Sequence, residues 1–130
     1  MGIGLIWKER KICGLAHCLL PEDTSQKFVF GGRYASQAVR SLLIKMRVNP
    51  DKIKEIDAIV AGGGNLTGKD LSASEHIGTM NLDIAIRELK AAGIRLIHLE
   101  KGGIDGRKVS INSVTGAFKI SKIPRIAGAG

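Results

Sequence analysis

The stretch MGIGLIWKERKICGLAHCLL, which is Met1–Leu20, decides the fold because two apolar segments in it flank four charged residues. Met1–Trp7 and Ile12–Leu20 have the apolar, partly β-branched composition that is typical of strands. Lys8–Lys11 between them is short enough to reverse the chain at once. The stretch therefore predicts an N-terminal β-hairpin.

The short connection also predicts the register of this hairpin. If Trp7 pairs with Ile12, His17 lies opposite Gly2, and a slip of one residue would turn His17 to the other face of the sheet. The next position on the face of His17 falls one residue before Met1. Diagonal neighbours of this kind lie within side-chain reach of each other.

His17 is a polar ring in an apolar strand, just ahead of a loop, and two interpretations of it are open. It is either a hydrogen-bonded histidine of the core or a catalytic base. Cys13 shares its face but lies about 13 Å away along a strand, and Cys18 faces the other side. Neither thiol can reach the imidazole at the ~3 Å of a thiol–imidazole pair. The other histidines, His76 and His98, are predicted to be structural.

Helical and strand patterns alternate along the rest of the chain. Apolar spacings of three and four residues predict a helix over Arg33–Met46 and a second one that follows a polar loop to about Glu75 and ends near Ala92. The strands predicted downstream of the first hairpin are Ile56–Ala61, Arg95–Leu99, Lys108–Asn112 and Ala117–Ile123. Hairpins at both ends, with helices between strands, predict a mixed β-sheet and an α+β fold.

Length and composition predict one domain over residues 1–130, with 44% hydrophobic and 25% charged residues. No apolar run approaches the ~20 residues that span a bilayer, so membrane insertion is not expected. The cationic Lys8–Lys11 follows the apolar start, which is the wrong order for a signal peptide. Two cysteines, Cys13 and Cys18, are too few for a disulfide framework, and they lack the spacing of zinc ligands. We therefore expect a cytoplasmic protein with free thiols and without metal or cofactor.

The formal net charge of +8 is the unusual feature of the composition. The basic residues are spread along the chain, and one Trp, one Tyr and three Phe offer no stacking platform for bases. Nucleic-acid binding is therefore not expected. A diffusely solvated basic surface or an acidic protein partner accounts better for the charge.

The glycine-rich run Gly63–Lys69 matches the phosphate-binding pattern G-x-x-x-x-G-K after a predicted strand. Asp70 follows it, however, where a magnesium-binding Ser or Thr is required. A carboxylate at that position would repel the phosphates. We expect no nucleotide site here.

Several runs in order resemble the CheD family, the chemoreceptor glutamine deamidases of bacterial and archaeal chemotaxis. These runs are Gly14–Pro21, Gly32–Ala35, Ala61–Asn65, Ile77–Asn81, Gly102–Gly103 and Gly106–Val109. The resemblance covers the chain from about Gly2 to Ile123. It is specific because all of the runs occur in the right order with compatible spacing.

The resemblance implies an α/β/β/α sandwich and a protein-glutamine deamidase that acts on methyl-accepting chemotaxis receptors and docks the CheC phosphatase. Members of the family use a cysteine thiolate, a histidine and a nearby threonine. The family's histidine matches His17, and Gly2 and Asn81 are predicted to line the site.

The family's cysteine has no counterpart in this sequence. It belongs to a Gly-Ser-Cys turn that, without gaps, falls immediately before Met1, and the threonine lies further upstream. In one interpretation the gene product is a deamidase, and these 130 residues lack its N-terminal strand and turn through a late start or a deletion. In the other it is an inactive protein that binds a receptor or CheC. Either way, the chain as written is expected not to deamidate.

Overall fold

The structure, a computed structural model, describes residues 1–22, 27–62, 72–101 and 106–123, with the side chains of 72–76 left out. Two α-helices and six strands lie in these ranges. They are β1 (Gly2–Trp7), β2 (Ile12–His17), α1 (Ala35–Lys45), β3 (Ile56–Gly62), α2 (Ser72–Ala92), β4 (Arg95–Lys101), β5 (Gly106–Ile111) and β6 (Phe118–Ile123).

β1 and β2 form the predicted hairpin in the predicted register. A 3-10 turn with Lys11 in the left-handed region (φ 55°) reverses the chain, and Trp7 then pairs with Ile12 and Gly2 with His17. The pairing is continuous, without a bulge. Both sequence-based predictions are therefore confirmed.

The hairpin belongs to a four-stranded mixed sheet in the order β2-β1-β3-β4. β1 is antiparallel to both of its neighbours, whereas β3 and β4 are parallel because α2 carries the chain back between them. β5 and β6 form a separate antiparallel pair. The α+β class with a mixed sheet is confirmed.

Both helices pack on one face of the sheet. The residues of β1 on that face, Ile3, Leu5 and Trp7, are buried together with the inner faces of α1 and α2. On the other face, the β5–β6 hairpin packs across β1 and β3. The order of layers is therefore α/β/β. The described part of the chain contains no helix on the far side of the β5–β6 hairpin, where the sandwich implied by the resemblance has its second helical layer.

The ends of the helices follow from local sequence. Gly93 stops α2 with φ of +78°, a conformation that costs glycine little. A 3-10 turn over Pro50–Glu55, which the sequence analysis did not predict, leads into β3. It is fixed by the Trp7 indole, which donates a hydrogen bond to Oε1 of Glu55 at 2.8 Å. None of the helices in the described ranges is long and apolar enough to cross a membrane.

The contact between β2 and α1 predicts a difference between two glycines of the hairpin. A Cβ on Gly14 would lie 2.9 Å from Cδ2 of Leu42 and 3.1 Å from Sδ of Met46, whereas a Cβ on Gly2 would have no neighbour closer than 3.7 Å. We expect Gly14→Ala to lower the free energy of unfolding by about 1–2 kcal/mol through overpacking. Gly2→Ala, measured in the same urea titration, should leave it nearly unchanged, and equal losses would contradict this packing.

Candidate active site

His17 ends β2, an edge strand of the sheet, and its side chain is exposed. Of the two sequence interpretations, that of a core histidine is therefore wrong. The β5–β6 hairpin packs on β1 and β3, and within the described part of the chain Leu15 and His17, on the same side of β2, are exposed. An exposed imidazole at the end of a strand is available for proton transfer.

The backbone next to His17 brings it close to Gly2. The amide of Cys18 donates to the carbonyl oxygen of Met1 at 2.7 Å, and the nitrogen of Met1 donates to the carbonyl oxygen of Cys18 at 3.2 Å. Met1 and Cys18 are thus a hydrogen-bonded pair, and Gly2 and His17 are the adjacent pair without mutual hydrogen bonds. Side chains of such pairs lie closest, with Cα atoms about 4.5 Å apart.

Neither cysteine of the chain is placed to work with His17. Cys13 is half-buried and pairs with Ile6 near the turn of the hairpin, about 13 Å along β2 from His17. Cys18 is only 1% exposed and belongs to the core on the helix side. Burial raises the pKa of the Cys18 thiol to about 11, so it stays protonated at neutral pH. The sequence-based exclusion of both thiols agrees with this geometry.

A cleft of about 480 Å³ runs beside the end of β2, between this strand and α1. Among the described residues, its lining is apolar and cationic and contains no carboxylate. The lining residues are Leu15, Ala16, His17, Leu19, Phe30, Gly31, Gly32, Arg33, Ala38, Ser41, Leu42 and Lys45. The sequence analysis did not predict this cleft, because its walls come from segments that are distant along the chain.

Asn81 is buried behind the segment that follows β2. Its side chain is buried on α2, and Nδ2 donates to the carbonyl oxygen of Leu19 at 3.4 Å. The residue therefore supports the backbone that follows His17 and does not line the cleft itself. Whether Asn81 takes part in the site stays a prediction.

Other residues singled out in the sequence lie elsewhere. The ring of His98 contacts that of Phe118 in a tilted arrangement, with ring centroids 5.3 Å apart and an interplanar angle of 50°, which fits the structural role predicted for it. The glycine-rich run Gly63–Lys69 and the side chain of His76 lie outside the described residues. Among the described residues, no group of three or more His, Cys, Asp or Glu is arranged to hold a metal ion.

Comparison with known proteins identifies the family. The family model CheD, described as CheD chemotactic sensory transduction, matches residues 19–122. This chain belongs to the CheD family. The sequence-based resemblance is confirmed.

Named relatives align with nearly all of the chain. "Probable chemoreceptor glutamine deamidase CheD 2" of Ruegeria sp. (strain TM1040) is 33% identical over 145 residues, covering 98% of this chain and 81% of the relative. The corresponding protein of Bdellovibrio bacteriovorus is 35% identical over 98% of this chain and 81% of its own length. "Chemoreceptor glutamine deamidase CheD" of Thermotoga maritima is 31% identical over 87% of this chain and 69% of the relative.

The burial of Cys18 in this CheD protein predicts how stability depends on pH. The folded-state pKa of about 11 exceeds the ordinary value of 9.0, so the unfolded chain loses the thiol proton first. Stability should therefore fall as pH rises from about 9 to about 11, by about 2–3 kcal/mol from this group.

The measurement is urea unfolding at several pH values for the wild type and two variants. Cys18→Ala should flatten the alkaline decline, whereas Cys13→Ala, the matched control, should keep it. A decline of equal steepness in all three proteins would mean that Cys18 is not the group responsible.

Proposed function

We propose that this CheD protein is a chemoreceptor glutamine deamidase in which His17 is the general base and acid. The observation that carries the proposal is the exposed imidazole of His17 beside Gly2, at the lip of a cleft, in a chain of this family. The relative from Thermotoga maritima is named a chemoreceptor glutamine deamidase, and the other two are named probable chemoreceptor glutamine deamidases. The substrate is accordingly a glutamine side chain of a methyl-accepting chemotaxis receptor.

The proposed reaction replaces the amide nitrogen of glutamine in two steps. A thiolate attacks the carboxamide carbon, the C–N bond of the tetrahedral intermediate breaks, and ammonia leaves with a proton from the imidazolium. Water, deprotonated by the imidazole, then attacks the thioester carbon. The C–S bond breaks, which gives glutamate and restores the thiol. His17 moves the proton in both steps.

The thiol is proposed to come from a residue upstream of Met1. Cys13 is too distant and Cys18 is buried on the other face, so neither serves. Because β1 runs antiparallel to β2, a residue immediately before Met1, two positions before Gly2, would be the diagonal neighbour of His17 on the same face. Diagonal Cβ atoms are about 7–8 Å apart or less, within reach of a cysteine and an imidazole.

The proposed activity also implies where the protein acts and which partners it has. We propose that the protein acts on receptors from the cytoplasm without inserting into the membrane. The CheC phosphatase is a second proposed partner. No nucleic acid, metal or cofactor is part of this proposal.

The 130 residues alone should have no glutaminase activity. We expect incubation with glutamine-containing receptor peptides to release no ammonia above background, because the chain holds the base without a reachable thiolate. Ammonia release that is abolished by Cys13→Ala or Cys18→Ala would show that one of these thiols is the nucleophile after all.

A chain extended by the codons upstream of Met1 tests the dyad itself. If these codons encode a cysteine next to β1, His17 in its protonated form should depress the pKa of that cysteine. Iodoacetamide labelling followed against pH should then show a low-pH reactive thiol that His17→Ala abolishes and the matched control His98→Ala retains. A thiol that titrates in the same way in all three proteins would contradict the proposal, as would the absence of an upstream cysteine.

A further inference from the structure

Several large apolar side chains are exposed at the cleft that contains His17. Phe28, Val29 and Phe30 follow one another in the chain and are 36%, 41% and 57% exposed. Leu15 and Leu19 are 49% and 57% exposed, and both line the cleft together with Phe30. These five residues are called the apolar patch below. Single exposed apolar residues are common on proteins, whereas several that adjoin one concave surface mark a binding site for a partner.

The segment 27–32, which carries the aromatic part of the patch, is anchored to α1. The amide of Gly31 donates to Oγ of Ser41 at 2.8 Å. The guanidinium of Arg40 lies 4.1 Å from the centroid of the Phe28 ring. The patch is therefore formed before a partner binds, which lowers the entropic cost of association.

The edge of β2 is closed where this segment meets His17. A Cβ on Gly32 would lie 3.0 Å from Cβ of Ala16 and 3.7 Å from the backbone nitrogen of His17. Next to it, the carbonyl oxygen of Arg33 accepts a hydrogen bond from the amide of Leu19 at 2.9 Å. An occupant of the cleft therefore contacts the side chains of its walls and does not extend the sheet at His17.

Three cationic side chains adjoin the apolar patch. Arg33 and Lys45 line the cleft, and Arg40 lies over Phe28. All three cationic residues are exposed, and none of them forms an ion pair with another described residue. Cations without an ion-pair partner beside apolar surface attract a ligand that carries both carboxylates and apolar side chains.

The composition of the patch favours a protein segment over a nucleic acid. Leu15, Leu19 and Val29 are aliphatic and offer no face on which a base can stack. Phe28 is aromatic, but the guanidinium of Arg40 already lies over its ring. Aliphatic surface next to cations is instead complementary to apolar and acidic side chains of a protein.

We propose that the apolar patch and the three cations dock an acidic segment of the receptor that contains the target glutamine. The proposal rests on the proposed function for the identity of this partner. Because His17 lines the same cleft, a segment held there lies beside the proposed base. Apolar side chains of the segment contact the patch, and its carboxylates face Arg33 and Lys45. The residues that flank a receptor glutamine thus determine whether it is deamidated.

Binding can be measured on the 130-residue chain, separately from catalysis. The probe is a fluorescein-labelled peptide that has a central glutamine, leucines three and four residues apart, and glutamates elsewhere, followed by fluorescence anisotropy. In two control peptides, lysines replace the glutamates or serines replace the leucines. Each replacement should weaken binding about tenfold or more, because each removes one of the two complementary features.

Protein variants locate the docking surface. Phe30→Ser should weaken binding of the probe about tenfold or more, whereas Val114→Ser, a matched change of a 63% exposed residue outside the cleft, should not. Lys45→Glu should weaken it likewise, and Lys54→Glu, an exposed change outside the cleft, should not. All four positions are exposed, so the variants keep the buried core of the wild type.

Other results overturn the proposal. Absence of binding, equal binding of the three peptides, or binding that survives both Phe30→Ser and Lys45→Glu would each show that this surface does not dock an acidic, apolar segment. Tighter binding of a single-stranded oligonucleotide, lost in the same variants, would make it a nucleic-acid surface. A wild-type dimer that Phe30→Ser dissociates, with no peptide binding, would make it an interface between copies.

The extended protein separates this proposal from the proposed function. If the 130-residue chain binds the probe as expected and the extended protein releases no ammonia from it, the docking surface stands and the proposed function is contradicted. If the extended protein deamidates receptor peptides equally well with and without flanking glutamates and leucines, the proposed function stands and the docking surface is contradicted.

Discussion

The backbone pairing of β1 with β2 determines on which face of the sheet each side chain of the N-terminal hairpin lies. The left-handed Lys11 fixes one end of this pairing, and the hydrogen-bonded pair of Met1 and Cys18 fixes the other. Because side chains alternate along a strand, a slip of one residue would bury His17 and expose Cys18. One register thus separates the exposed imidazole from the buried thiol.

The packing of the helices and of the β5–β6 hairpin on the sheet determines which residues of the sheet remain accessible. β1 is central, with helices on one face and the β5–β6 hairpin on the other. Gly4 permits the approach of the hairpin, since a Cβ there would lie 2.9 Å from Cδ1 of Ile111. The hairpin packs on β1 and β3, and among the described residues Leu15 and His17 on the corresponding side of β2 are exposed. The exposed side of β2 ends at His17, the proposed base.

The sequence was sufficient to predict features that depend on residues close together along the chain, such as helices and the N-terminal hairpin. The short charged connection Lys8–Lys11 allows only a tight turn, and this was enough to predict the pairing of Gly2 with His17. The spacing of apolar residues was enough to predict both helices. The order and spacing of the glycine-containing motifs predicted the CheD family. The exposure of His17 could not be decided from sequence, because it depends on how far the distant β5–β6 hairpin extends across the sheet. The cleft was missed for the same reason, as α1 and the segment at Arg33 meet β2 only in the folded chain. The place of Asn81 beneath Leu19 likewise depends on the packing of α2.

Disulfide trapping tests the register most directly. In a background that carries Cys13→Ala and Cys18→Ala, the pair Gly2→Cys and His17→Cys joins two residues of a non-hydrogen-bonded pair, whose Cα separation of about 4.5 Å is within the range of disulfides. The matched pair Gly2→Cys and Ala16→Cys places the thiols on opposite faces. Mass spectrometry after mild oxidation should find the intramolecular disulfide in the first variant and free thiols in the second. A disulfide in the second variant only would contradict the register and, with it, the position of His17 beside the proposed nucleophile.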